Sequence, residues 1–177
     1  FVTAASLPVS AVLGTFAGPA TATMFGPGYG PAAIVLAISA WSIIPRLLEG
    51  FVVQALTVFD HQALTIGTRL LGLSVNLVVT LTLLPRYGLA GAAIGTVAGE
   101  LVKLSAALWL LHLPASWWAA TTTRLARWLP SFAAMLAVAL FLTRPWPLAA
   151  LLSVAAYLLT ARLAGAVTRD DLKGLAR

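Results

Sequence analysis

The 177-residue chain is 60% hydrophobic and only 9% charged, with a mean hydropathy of +0.97. Soluble domains carry roughly 25% charged residues, and no soluble fold of this length has interior enough to hide so much apolar surface. The lack of cysteine excludes a disulfide framework, a thiolate nucleophile and cysteine-based metal sites. The net charge of +6 arises mostly in loops rather than in a basic patch on a soluble surface, so nucleic acid is not an expected partner.

Taken along the chain, apolar runs punctuated by Pro, Gly and charge predict six transmembrane helices, an all-α polytopic bundle. Phe1 has neither an initiator Met nor a basic stretch before it, so no signal peptide is read and the chain is expected to continue a longer protein. Residues 1–45 carry no charge at all. The first helix is expected over Ala4 to Phe25, ending at Gly26-Pro27-Gly28-Tyr29-Gly30. Gly14, Gly18 and Pro19 predict a kink in it, read as architecture with a gate as the alternative. The second helix starts at Pro31, a natural first-turn residue, and runs to Phe59. A tight turn follows at Asp60-His61. The third helix covers Gln62 to Leu84 and stops at Pro85-Arg86-Tyr87-Gly88. The fourth covers Leu89 to Leu113.

These four helices form a first segment, residues 1–113, followed by a connector over 114–127. Helices five and six occupy 128–167, the fifth short from Trp128 to Thr143 and the sixth from Pro147 to Val167. The tail, 168–177, opens with Thr168-Arg169-Asp170-Asp171, which reads as the capped start of a small surface helix. Arg124, Arg127, Arg162, Arg169, Lys173 and Arg177 share one side of the predicted topology, and only Arg86 and Arg144 lie on the other. That bias places connector and C-terminus in the cytoplasm. Trp117, Trp118 and Trp128 near one boundary, with Tyr29, Tyr87 and Trp146 near the other, fit interfacial aromatic belts.

Five ionisable side chains fall within the predicted spans: Arg46, Glu49, Arg69, Glu100 and Lys103. Each costs roughly 2.5–3.5 kcal/mol at a helix centre, so each is expected to face protein or a wet cavity. On the third helix Gln62, Thr65, Arg69, Gly72, Asn76 and Thr80 recur at spacings of three and four and form one polar stripe. On the second, Arg46, Glu49, Gly50 and Gln54 share a face, and Pro45 deprives the Trp41 carbonyl of its helical donor. A break beside a charge is one way transporters build a site or a hinge. Two readings stay open: Arg46–Glu49 and Glu100–Lys103 neutralise one another as i, i+3 pairs, or they line a cavity. Arg69 has no such partner on its own helix. The candidate substrate-binding residues are therefore Arg46, Glu49, Gln54, Arg69, Asn76, Glu100 and Lys103. Gly91, Gly95 and Gly99 make a ridge of small residues, read as close helix packing. His61 and His112 lack metal-ligand spacing, and no phosphate loop, catalytic triad or carboxylate pair stands out. Neither an enzyme nor a cofactor is expected from this chain alone.

Residues 75–100, VNLVVTLTLLPRYGLAGAAIGTVAGE, resemble the C-terminal domain of polysaccharide biosynthesis proteins, the O-antigen and capsule repeat-unit flippases of the multidrug/oligosaccharidyl-lipid/polysaccharide exporter superfamily. The resemblance rests on Asn76, Pro85-Arg86-Tyr87-Gly88, Gly91-Ala92-Ala93 and Glu100, with Phe25-Gly26 and Gly28-Tyr29 upstream, and covers roughly residues 20–110. It implies a transporter of two six-helix lobes around a central cavity, this chain being the C-terminal lobe and the N-terminal lobe its partner. It also implies alternating-access movement of undecaprenyl-pyrophosphate-linked saccharides across the bacterial inner membrane. Arg46 and Arg69 could then hold a pyrophosphate, since guanidinium offers two-pronged contacts to phosphate oxygens. Such proteins often carry basic residues between the second and third helices, where this chain reads Phe59-Asp60-His61-Gln62. A cation-coupled drug exporter of the same superfamily, relying on Glu49 and Glu100, and a non-transporting scaffold are the alternatives.

Overall fold

The computed structural model describes residues 2–58, 62–111, 121–123, 126–142 and 145–163. The described residues are helical with short connections, and no strand occurs among them. The Asp60-His61 turn, residues 114–120 of the connector and the tail over 168–177 lie outside them.

The chain forms two compact units, Phe1–Leu113 and Pro114–Arg177. The first holds six α-helices: α1 (Val2–Thr15), α2 (Ala17–Phe25), α3 (Gly30–Ser39), α4 (Ile43–Val58), α5 (Gln62–Tyr87) and α6 (Leu89–Leu110). The second holds α7 (Leu129–Phe141) and α8 (Trp146–Leu163), which pack on one another. There Trp128 stacks on Tyr157 with ring centroids 5.8 Å apart and planes 21° apart.

Four helical stretches are long and apolar enough to cross a membrane: Gly30–Val58, Ala63–Tyr87, Leu89–Leu110 and Trp146–Leu163. Two of the six expected spans are therefore not seen as single membrane-length helices. The first is divided at Phe16, whose backbone (φ −97°, ψ 14°) leaves the helical basin and separates α1 from α2. Pro19 lies in the first turn of α2 and has no N–H to offer the preceding turn. The fifth is 13 residues, about 20 Å at 1.5 Å per residue, against a hydrocarbon core of about 30 Å.

The third helix runs three residues beyond its expected end at Leu84. Pro85 costs only one bond in the last turn, and the helix stops at Gly88, whose φ of +57° suits glycine. Between α3 and α4, residues Ala40–Ser42 form a single 3-10 turn just ahead of Pro45. The Ser42 hydroxyl donates to the Ser39 carbonyl at 2.7 Å and ties the turn together.

The core is made of small residues. Ala11, Ala17, Ala93 and Ala107 are buried with Ser6, Ser10 and Thr68, while Ile66, Leu70, Leu73, Leu77, Val78 and Leu81 on α5 are exposed. Large apolar side chains pointing outward around a small-residue interior is the arrangement of helices packed in lipid; in water such a face would be an aggregation site. Helices α3, α4 and α5 all pack against α6, which is the axis of the first unit.

Candidate functional site: a charged cleft on the axial helix

The approach of α5 to α6 is set by glycine. A Cβ added at Gly99 would lie 2.8 Å from the Gly72 carbonyl oxygen and 2.9 Å from the Asn76 Cβ. One added at Gly95 would run into the Thr80 hydroxyl, and one at Gly91 would sit 2.7 Å from the Leu83 backbone. Every step of the ridge thus faces α5, which is the packing role expected of it. The close approach also brings the polar stripe of α5 beside the charges of α6.

The result is a cleft of about 420 Å³ formed by α4, α5 and α6. Arg46 and Glu49 come from α4, Arg69, Gly72, Leu73 and Asn76 from α5, and Thr96, Gly99, Glu100 and Lys103 from α6. Six of the seven candidate residues meet here. Gln54 does not: it lies eight residues beyond Arg46, about 12 Å along the axis, and is rotated about 140° from Glu49. Leu73 and Thr96 join the lining without having been singled out for it; neither carries a charge or a spacing that marks it in an apolar helix.

The charges pair across helices rather than along them. Arg46 donates from Nη2 (2.9 Å) and Nε (3.3 Å) to Glu100 Oε1. Lys103 Nζ stands 2.7 Å from Glu100 Oε2, an ion pair off the hydrogen-bonding angle. The expected local pair Arg46–Glu49 does not form. Glu49 is 7% exposed and its Oε1 has no hydrogen-bond partner among the described residues. The expected Glu100–Lys103 pair does form, but as half of a three-membered cluster.

Arg69 is exposed, and no ion pair joins it to another described residue. Farther along α5, Thr80 donates to Asn76 Oδ1 at 3.0 Å, which fixes the amide on the cleft side. Three cations and two carboxylates leave the cleft one positive charge in excess. Its free cation and its spare carboxylate can engage an anionic group and a hydrogen-bond donor together. Among the described residues no three His, Cys, Asp or Glu side chains gather as metal ligands.

An apolar groove of about 590 Å³ lies elsewhere on the same unit, between Gly14 of α1, Ala37 and Ile38 of α3, Trp41, and Ile94, Val97, Ala98 and Leu101 of α6. No family model, no curated protein and no solved structure matches the chain.

Proposed function

We propose that the chain is one helical lobe of a transporter that moves lipid-linked oligosaccharide or polysaccharide repeat units across the bacterial inner membrane by alternating access, in polysaccharide biosynthesis. In this reading the charged cleft is one wall of the pathway, the other wall belongs to a second lobe, and the C-terminus is cytoplasmic. One observation carries it: Arg69, within an apolar 25-residue span, points a charge without an ionic partner into a cleft that other helices line with charge. An intramembrane cation is costly enough that it is retained for a ligand or a pathway. A diphosphate linking lipid to sugar is the matching charge, since guanidinium takes two phosphate oxygens at once.

The test is export in cells that make the full-length protein. Arg69→Ala should abolish surface polysaccharide while the variant is still inserted at normal level, and Arg46→Ala should reduce it. Normal export by Arg69→Ala removes the cleft from the pathway.

A second reading, a cation-coupled multidrug exporter, is favoured by Glu49, a buried carboxylate with an oxygen left unpartnered. It expects Glu49→Gln to abolish ion-driven drug efflux, while polysaccharide export is unaffected by any of these substitutions.

A further inference from the structure

Arg46 crosses to α6 although a carboxylate stands one turn away on its own helix. Side chains three apart on a helix are neighbours, so Glu49 is a second available partner for Arg46. Glu49 is buried and its Oε1 has no partner among the described residues, and a buried acceptor left unpaired is costly. Glu100 is supplied twice, by Arg46 at 2.9 Å and by Lys103 at 2.7 Å. Turning Arg46 from Glu100 to Glu49 would therefore leave both carboxylates with a cation. The Arg46 side chain is 61% exposed, so it is free to turn. Losing the cross-helix bond would release α4 from α6 immediately after Pro45 and the 3-10 turn at Ala40–Ser42, the kind of irregularity at which helices bend.

We infer that Arg46 is a two-position switch, bonded to Glu100 when α4 is held against α6 and to Glu49 when α4 swings away about the Ala40–Ser42 turn. This deepens the transporter reading, on which it rests, by naming the element that moves and the charge that holds it. The two positions are arrangements of the same three side chains with no net change in charge, so a ligand that favours either one biases the equilibrium.

The chain has no cysteine, so spin labels can be placed uniquely by Thr57→Cys on α4 and Ser105→Cys on α6, both exposed. Distances between them are read by pulsed electron resonance in the full-length protein in lipid nanodiscs. Glu100→Gln should raise the ratio of the long-distance to the short-distance population by roughly tenfold, the scale of losing one charged hydrogen bond. Glu49→Gln should lower that ratio. Shifts in opposite directions from two shape-conserving substitutions are not produced by general loosening, which would move both the same way. Unchanged distributions in both variants, or shifts in one direction in both, overturn the switch. Export separates it from the transport reading. Opposite shifts with export intact in Arg69→Ala keep the switch and remove transport. Lost export in Arg69→Ala without opposite shifts removes the switch and keeps transport.

Discussion

Glu100 is 5% exposed and carries the pairing of two cations on one carboxylate. Its partners differ in setting: the Lys103 side chain is 21% exposed and that of Arg46 is 61% exposed. Removing the carboxylate strands Lys103 in the protein, whereas removing Arg46 still leaves Glu100 with Lys103. Glu100→Ala should therefore destabilise the protein by on the order of 3–5 kcal/mol, the cost of breaking a buried pair, and Arg46→Ala by about 0–1 kcal/mol, as for exposed pairs. Thermal unfolding in nanodiscs measures both, and an equal loss in the two variants would contradict the burial argument. The charges themselves were legible in the sequence, because a charged side chain in an apolar run is conspicuous. Their pairing was not. Spacing along one helix suggests Arg46–Glu49, while the bond that forms joins residues 54 positions apart, and no local rule carries that information.

At the scale of the helix, the glycines of α6 divide into those that matter and those elsewhere that do not. Gly99→Val would place side-chain atoms against the Gly72 carbonyl and Asn76, contacts at 2.8 and 2.9 Å already for a bare Cβ. Backbone cannot give way as a side-chain tip can, so a loss of roughly 1–3 kcal/mol or more is expected. Gly50 on α4 has nothing within 4 Å of an added Cβ, and Gly50→Ala should be neutral or stabilising by about 0.4–1 kcal/mol. The same melting experiment checks both. The Gly-xxx-Gly ridge was readable as a packing surface because glycine at a spacing of four can hardly be anything else in an apolar helix. Its partner, α5, was not readable. Helix ends were legible where backbone geometry required it, as at Gly88 with its positive φ. They were misjudged where Pro85 was read as a stop, since proline in a last turn removes only one hydrogen bond.

Across the whole molecule, an inside built of Ala, Ser and Gly beneath an outer layer of Leu, Ile and Phe reverses the order of a soluble protein. Composition alone foretold that reversal, and four membrane-length helices follow from it. Six spans did not follow, because hydropathy registers apolar length without registering a helix divided at Phe16 or a 13-residue α7. What makes this more than a packed bundle is a water-accessible, cationic cleft within the spans. Labelling by a charged, membrane-impermeant methanethiosulfonate tests it most directly, again on the cysteine-free background. Thr96→Cys lines the cleft and should react readily, with inorganic pyrophosphate slowing the reaction. Leu77→Cys, on the exposed apolar face of α5, should resist. Resistance at Thr96→Cys equal to that at Leu77→Cys would contradict a cleft open to water and ligand.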